Sequence, residues 1–451
     1  MQKGADRLTA RTVPRVGGFG HGSLAQEREG KMTARLDEGA DADHLNSVIT
    51  VLDLVRSGAA HTKPGIAQLS GLGRNVVTRR VNQLLDAGLL EGNGFAESSG
   101  GRSPRELRFQ TDAGHVLVAD LGARAVSVAC ADLAGGLVAQ RQEPCDVKAG
   151  PRAVLNRISE LFDEVLGEHP CEVWGVGIGV PGPVDFVSGR TIAPPIMPGW
   201  DGYDIRGHLA TRFHAPVWVD NDVNLMVLGE LRGGLARGEK DVVFVKVGTG
   251  IGAGLVSGGR LHRGAQGSAG DIGHVLVVPD SDVVCRCGLV GCLEAVAGGG
   301  ALVRDGRAAG LEGRSPFLAA VVAQGREVTL RDVSEAMNHG DPVARDLMTT
   351  SAQLVGETLA RIVNFINPAL VVLGGAVPDS GDIYLTKVRQ VVLSRSLPLA
   401  TRHLRLERSP RGTHPALTGG AFMVVDELFS RERLGRWIGH QTPAGRPELV
   451  S

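Results

Sequence analysis

The 451-residue chain is short of lysine: seven stand against 41 arginines. With abundant Ala, Gly and Val, that imbalance is what a GC-rich coding sequence produces, so an isolated arginine carries little weight as a phosphate ligand. Net charge is nearly absent as well, 48 basic side chains facing 49 acidic ones. No global field therefore selects a nucleic-acid or membrane partner. No apolar run approaches the roughly 18 residues that a membrane helix requires. Residues 1–40, rich in Gly, Arg and Glu, lack the apolar core of a signal peptide. A cytoplasmic chain with no membrane partner is expected. Six cysteines are too few for a disulfide scaffold, and there is no repeat of solenoid period. Glycine is the residue in surplus, at 64 positions, about twice the usual share. It forms neither a collagen pattern nor a low-complexity run. Apolar residues at 43% and charged ones at 22% are ordinary for a globular protein. The length suggests two or three domains with a sizeable core. The glycines must then serve turns and close backbone approaches.

Residues 1–43 show no periodicity and read as a flexible tail. From His44 the pattern becomes helical: Leu45, Val48, Ile49, Leu52 and Val55 share a face, and Gly58 stops the run. Thr62 is placed to cap a second helix, with Pro64 in its first turn. After Gly71-Leu72-Gly73 a third helix is expected from Arg74 to about Ala87, with Val77, Val81, Leu84 and Leu85 inward. Residues 91–109 read as a Gly/Ser-tipped hairpin. Helix, helix, glycine turn, helix and hairpin make a winged helix-turn-helix over 44–110. Its third helix would enter the major groove. The outward Arg74, Asn75, Thr78, Arg79 and Asn82 suit base edges, because arginine matches guanine and asparagine matches adenine by bidentate geometry. Arg102 and Arg105 on the wing suit phosphate or minor-groove contact. Residues 56–108 hold eight basic and four acidic side chains, a local excess that the whole-chain charge conceals. A protein-interaction domain with a solvated basic face is the competing reading.

From Val116 short β-rich runs (116–120, 126–131, 173–180, 217–220, 241–247, 253–257, 273–278, 369–373) alternate with helical stretches. Those stretches lie near 152–166, 203–212, 223–236, 300–309, 330–338, 342–366 and 415–430. This is an α/β pattern over 111–433, large enough for two lobes, with 434–451 as a C-terminal tail. The strand 116–120 runs into Asp120-Leu121-Gly122, a turn type that brings backbone N–H groups and a carboxylate to phosphate or magnesium. Gly248-Thr249-Gly250-Ile251-Gly252-Ala253-Gly254 sits between two strands, its alternate glycines permitting close approach to an anion. Gly374-Gly375 forms a third such turn. Asn221-Asp222 opens a helix after a strand; the pair can grip vicinal hydroxyls, with the carboxylate as a general base, or simply cap the helix. The most specific local signal is His274 followed by Cys285, Cys287 and Cys292. One imidazole and three thiolates form a closed tetrahedral set suited to structural Zn2+, with no open position for chemistry.

Together these residues resemble the ROK family of repressors, open reading frames and sugar kinases. The resemblance covers about 44–430 and is strongest where GTGIGAG, GSAGDIGH and CRCGLVGCLEAVAG follow in family order. It implies a two-lobed, actin-like ATPase fold behind the winged helix. It implies zinc on His274, Cys285, Cys287 and Cys292, and a sugar pocket lined by Asn221, Asp222, Asp271, His274 and Glu294. Asp222 would stand in the catalytic-base position of kinase members, and residues 193–201 would form the sugar-side loop of repressor-type members. The chain departs from the family at Arg124, where kinase members carry the Thr of Asp-x-Gly-x-Thr, and at Asp271, where a Glu is usual. These departures favour sensing over catalysis. The expected function is a sugar-responsive regulator, a repressor of carbohydrate genes that binds a palindromic operator as a homodimer or homotetramer. It would respond to a sugar or sugar phosphate and join the bacterial nucleoid when bound to DNA. The alternative is an ATP-dependent sugar kinase carrying a DNA-binding arm, which alone would need ATP and Mg2+.

Overall fold

The computed structural model of the chain describes residues 43–95 and 105–450. The expected tail, up to residue 42, lies outside them. The chain divides into two compact units: a small one reaching Asn82 and taking in Gly94–Glu106, and a large one of Gln83–Asn93 with everything from Leu107 onward.

The N-terminal elements follow the sequence signals closely. Helix α1 spans 43–56, α2 is Lys63–Ser70 and α3 is Arg74–Asp86. Thr62 caps α2, its Oγ1 accepting the Gly65 N–H at 3.2 Å, which removes one of the orphan donors of a helix start. Val48, Val51, Leu52, Val55, Ile66, Val77 and Val81 are buried. Arg80 is withdrawn from the surface as well, its Nε donating to Ser47 Oγ at 2.8 Å. Burial, then the neighbouring Arg79 charge, lowers its pKa. Strands β1 (Leu90–Phe95) and β2 (Arg105–Phe109) form the two-stranded wing, and Thr62 makes a single antiparallel bridge to Glu106.

The large unit repeats one sheet plan. In its first half β3 (His115–Leu121), β4 (Ala125–Asp132) and β5 (Leu137–Pro144) form an antiparallel meander, followed by α4 (Pro151–Glu168) and β6 (Val173–Val180). The short β7 (Val184–Asp185) and β8 (Arg190–Thr191), α5 (Ile205–Phe213), β9 (Val217–Asn221) and α6 (Asp222–Gly233) complete it. The sheet order is β5-β4-β3-β6-β9, with β6 parallel to both β3 and β9. The second half begins with the meander β10 (Val242–Val247), β11 (Ile251–Ser257) and β12 (Arg260–Leu261). Helices α7 (Leu293–Ala297), α8 (Gly299–Leu311), α9 (Pro316–Ala323), α10 (Leu330–Asn338) and α11 (Pro342–Ile366) follow, then β13 (Leu370–Gly374). After it come α12 (Asp382–Arg395), α13 (Pro398–Thr401), β14 (Arg405–Arg408), α14 (Pro415–Leu428) and α15 (Arg431–Trp437). Its order is β12-β11-β10-β13-β14, with β13 parallel to β10 and β14.

Each sheet has its own core. The first is sealed by Leu155, Ile158 and Phe162 of α4 and Leu209 of α5. The second is sealed by Val355, Leu359 and Val363 of α11 and Val388 and Val392 of α12. Helices α6 and α14 join the halves: α14 lies on β3, β6 and β4, α6 on β10 and β11, and the two helices pack on each other. The crossing is glycine-made. A Cβ on Gly229 would lie 1.9 Å from the Pro415 carbonyl oxygen, and one on Gly419 would lie 1.8 Å from that of Leu225. No larger residue fits either position.

Two expectations need correction. Residues 273–278 do not form a strand: Ile272–His274 is a 3-10 turn, and beyond it only Leu276 makes an isolated bridge, to Cys292. The apolar run there is loop because His274 turns toward cysteines, not toward a sheet. Beyond residue 433 the chain packs back onto the body. Trp437 is buried, its Nε1 donates to the Leu428 carbonyl at 2.8 Å, and its ring meets Trp174 at 5.4 Å. No helix among the described residues is long and apolar enough to cross a membrane.

Candidate functional site

A cavity of about 170 Å3 opens where the two halves present their strand ends. Asn221, Asp222, Gly248, Thr249, Gly250, Gly252, Asp271, His274 and Glu294 all line it. Residues separated by up to 73 positions in sequence thus converge, as the motif reading expected. Pro195 and Ile196 of the 193–201 segment line it too. That segment is anchored by the buried Trp200, whose Nε1 donates to the Val147 carbonyl at 3.1 Å.

Asn221 ends β9 and caps α6: its Oδ1 accepts the Val223 N–H at 2.9 Å. Its Nδ2 donates to the Gly182 carbonyl at 3.1 Å. The capping role and the site role are therefore one geometry, which ties the Pro181-Gly182-Pro183 wall of the cavity to the helix start. Asp222 follows in the first turn of α6, nearly buried at 5% side-chain exposure, with Oδ2 at 2.5 Å from Lys246 Nζ. Below it Asp220 accepts from Asn224 Nδ2 at 2.7 Å and from Arg263 Nε at 2.7 Å. The Arg263 guanidinium covers the Phe186 ring at 3.8 Å, and the chain runs on from Arg263 to Ser268, Ala269 and Asp271 in the cavity wall.

In the second half, β10 and β11 hold the Gly248–Gly250 turn. Gly248 N–H donates to the Gly250 carbonyl at 2.9 Å, and the first amides of α8 grip the turn from behind, Gly299 on the Gly248 carbonyl at 2.8 Å and Gly300 on that of Thr249 at 3.0 Å. Glu294 accepts the Ile251 N–H at 3.1 Å. Gly250 is obligatory for that contact, since a Cβ there would sit 2.1 Å from Glu294 Oε2.

Other sequence-selected residues lie beside the cavity and not in its lining. Asp120 stands at the end of β3 with a buried Oδ1 that no hydrogen bond satisfies. Burial pushes its carboxyl up to about 6, against the pull of the Lys246 ammonium and with the push of Asp222. Gly122 is held in the following turn by the Ala125 carbonyl at 2.8 Å. Gly374 is the buried last residue of β13 and Gly375 follows it. Arg124 is exposed, while Ala123 beside it faces the cavity.

His274, Cys285, Cys287 and Cys292 come together with their ligand atoms all within 4.8 Å of one another. His274 Nδ1 faces Cys285 Sγ at 3.5 Å, and its Nε2 is 3.9 Å from Asp271 Oδ1. The imidazole therefore has one nitrogen on the sulfur side and one toward the cavity. Burial raises the Cys285 and Cys292 thiols, Cys292 to about 12. Three adjacent thiolates need a cation to coexist, so the donor set fits a metal ion.

On α3 the side chains of Arg74, Asn75, Thr78, Arg79 and Asn82 are all exposed, and Asn82 Oδ1 accepts from Lys63 Nζ at 3.2 Å. Arg105 is exposed at the start of β2; Arg102 lies outside the described residues.

The sequence reading missed Lys246 and Arg263. Lys246 had a visible signal: a charge inside the apolar strand VVFVKV, directly before GTGIGAG, where a buried position makes a lone lysine unusual.

A duplicated sheet with a glycine turn at the cleft, beside a His/Cys cluster, defines a sugar-kinase-like body carrying an N-terminal helix-turn-helix. The chain belongs to the ROK family, whose model matches residues 116–427. It is 28% identical over 388 residues to a xylose repressor of Caldicellulosiruptor bescii, covering 85% of this chain and 96% of the repressor. A solved ROK family transcriptional regulator, a homologue of the E. coli MLC protein, superposes with a TM-score of 0.75 at 25% identity. That match covers 88% of this chain and 100% of the regulator. A Streptomyces griseus ROK glucokinase solved with glucose and AMPPNP gives a TM-score of 0.62 at 28% identity, over 69% of this chain and 99% of the glucokinase.

Proposed function

We propose that the chain is a sugar-responsive, DNA-binding transcriptional repressor of carbohydrate genes. The observation that carries it is the pairing, in one chain, of a helix with five outward DNA-suited side chains and a hydroxyl-suited cavity. The repressor and regulator relatives extend over both parts, whereas the glucokinase likeness covers 69% of the chain. In this reading Asn221, Asp222, Asp271, His274 and Glu294 bind the sugar hydroxyls. Carboxylates and amides on short, anchored side chains suit vicinal hydroxyls. The shorter Asp271 draws its charge back from the ligand and so tunes which sugar fits. A structural Zn2+ on His274, Cys285, Cys287 and Cys292 would fix the imidazole and the loop that leads to Glu294. Operator contact would come from Arg74, Asn75, Thr78, Arg79 and Asn82, with Arg102 and Arg105 on the wing. A two-fold homodimer, or a homotetramer, would read a palindromic site.

A sugar releases such a repressor only if it binds the free form more tightly than the DNA-bound form. The test is a gel shift on the promoter of its own or a neighbouring operon, titrated with a panel of sugars and sugar phosphates. Specific retention lowered by one ligand is expected; no specific retention under any condition overturns the reading. A second reading, a sugar kinase with a DNA-binding arm, draws on Asp222 and the Gly248–Gly254 turn; ADP release across a hexose panel, abolished in Asp222→Asn, would establish it.

A further inference from the structure

The repeated sheet plan sets an acid against a base at matching positions. Asp120 is the last residue but one of β3, opposite Gly179 of its parallel neighbour and Ser127 of its antiparallel one. Lys246 is the last residue but one of β10, opposite Gly374 and Gly252 in the same two senses. Both point their charge to the cleft end of their sheets, where Asp222 also lies. Lys246 Nζ reaches Asp222 Oδ2 at 2.5 Å, with the lysine side chain 23% exposed and the aspartate 5%. Burial works against the ammonium, but the charges of Asp222 and Asp120 outweigh it and raise its pKa.

Phosphotransfer chemistry on this fold implies a magnesium nucleotide at these strand ends. A magnesium ion demands near-octahedral oxygens at about 2.0–2.1 Å and keeps several of its waters. The residues present do not fit it. The space beside Asp222 is taken by an ammonium already hydrogen-bonded to the carboxylate. A second cation brought next to that ammonium meets a repulsion that the partly buried setting does little to screen. The turn after Asp120 carries Arg124, exposed to solvent, at the position where a small hydroxyl would otherwise serve.

We propose that Lys246 is a resident cation standing in for the metal: it pairs with Asp222 and lies in the field of Asp120 from within the chain, so the cavity takes a sugar without recruiting a magnesium nucleotide. A tethered ammonium cannot dissociate. Asp222 therefore keeps its cationic partner with or without ligand, and the occupancy of the cleft reports sugar alone, not the nucleotide pool. The sugar half of this statement rests on the sensing function proposed above; the nucleotide half does not.

The experiment is calorimetry on the full-length chain, wild type and Lys246→Thr, titrated with AMPPNP in the presence and absence of Mg2+. D-glucose, D-xylose and N-acetyl-D-glucosamine are titrated separately. Wild type should show no magnesium-dependent nucleotide binding, whereas Lys246→Thr should bind AMPPNP about tenfold tighter or more once Mg2+ is added. If circular dichroism shows Lys246→Thr unfolded, Lys246→Gln, which keeps the length and drops the charge, replaces it with the same expectation. Magnesium-dependent binding by wild type as strong as the variant's overturns the proposal, as does a folded variant with no gain. A chain that binds none of the sugars counts against the sensing function and leaves the nucleotide comparison intact.

Discussion

The two halves of the large unit solve the same local problem differently. Each sends a buried strand into a tight turn at the cleft. The β10–β11 turn is gripped on all sides, by α8 amides on its carbonyls and by Glu294 on Ile251. The β3–β4 turn is held by its own Gly122–Ala125 bond, leaves Asp120 Oδ1 without a partner and turns Arg124 to solvent. One turn is built as a fixed wall; the other is held by a single backbone bond beside a carboxylate oxygen without a partner. Identical topology therefore does not carry identical duty, and the difference lies in what packs behind each turn.

The contrast can be broken experimentally, and the largest effect should come from the scaffold of the fixed wall. Cys287→Ser should cost on the order of 5 kcal/mol, because structural metal binding is folding energy. Elemental analysis should show zinc lost together with stability; unchanged zinc would remove these ligands from consideration. Next, alanine at the two turn glycines separates the halves directly. Gly250→Ala should destabilise by about 1–2 kcal/mol, since its Cβ displaces the Glu294 carboxylate from the Ile251 N–H, while Gly122→Ala should cost under about 1 kcal/mol. The Cβ of the latter meets the Ala125 carbonyl at 3.3 Å, where a small shift suffices. Equal losses in urea unfolding would end the distinction between the turns.

Asp120 gives a pH signature. Its carboxyl titrates near 6 in the fold against 3.8 ordinarily, so between those values the folded state binds more protons than the unfolded one. This group's contribution must then fall as pH rises through that window. Asp120→Asn should be more stable than wild type above pH 6 by about 1–3 kcal/mol, with the advantage gone below about pH 4. Parallel stability–pH curves for the two proteins would refute it. Smallest of all, Arg124→Thr should change stability by less than about 0.5 kcal/mol, as an exposed substitution does. A larger loss in thermal unfolding would mean the arginine is anchored after all.

How much of this was legible depended on range. Local signals read correctly: Thr62 as a cap, the α3 faces, and the close spacing of the three cysteines, which the fold needed only to bend around His274. The cavity residues were legible because their motifs keep fixed order and spacing. Pairings across the fold were not. Lys246 and Asp222 are 24 positions apart on different elements, and no periodicity encodes that a strand-end lysine meets a helix-start aspartate. β5 escaped notice because it is an edge strand: its LVAQRQEP alternates half-buried and exposed positions and never forms an apolar run. The stretch 273–278 misled for the opposite reason, apolar residues there serving a loop whose shape is set by its cysteines. Val275, Leu276, Val284, Leu289 and Val290 consequently stay exposed.

The glycine crossing of α6 and α14 has a mechanical consequence. With backbones in direct contact at Gly229 and Gly419, no side chain at that point can change rotamer or slide to absorb strain. The crossing is therefore a rigid contact and not a cushion. Asp222 starts one arm, and α14 carries the first sheet on the other. A ligand at the tip of α6 thus meets a helix whose crossing point has no side chain to deform, and two of the chain's 64 glycines make that contact.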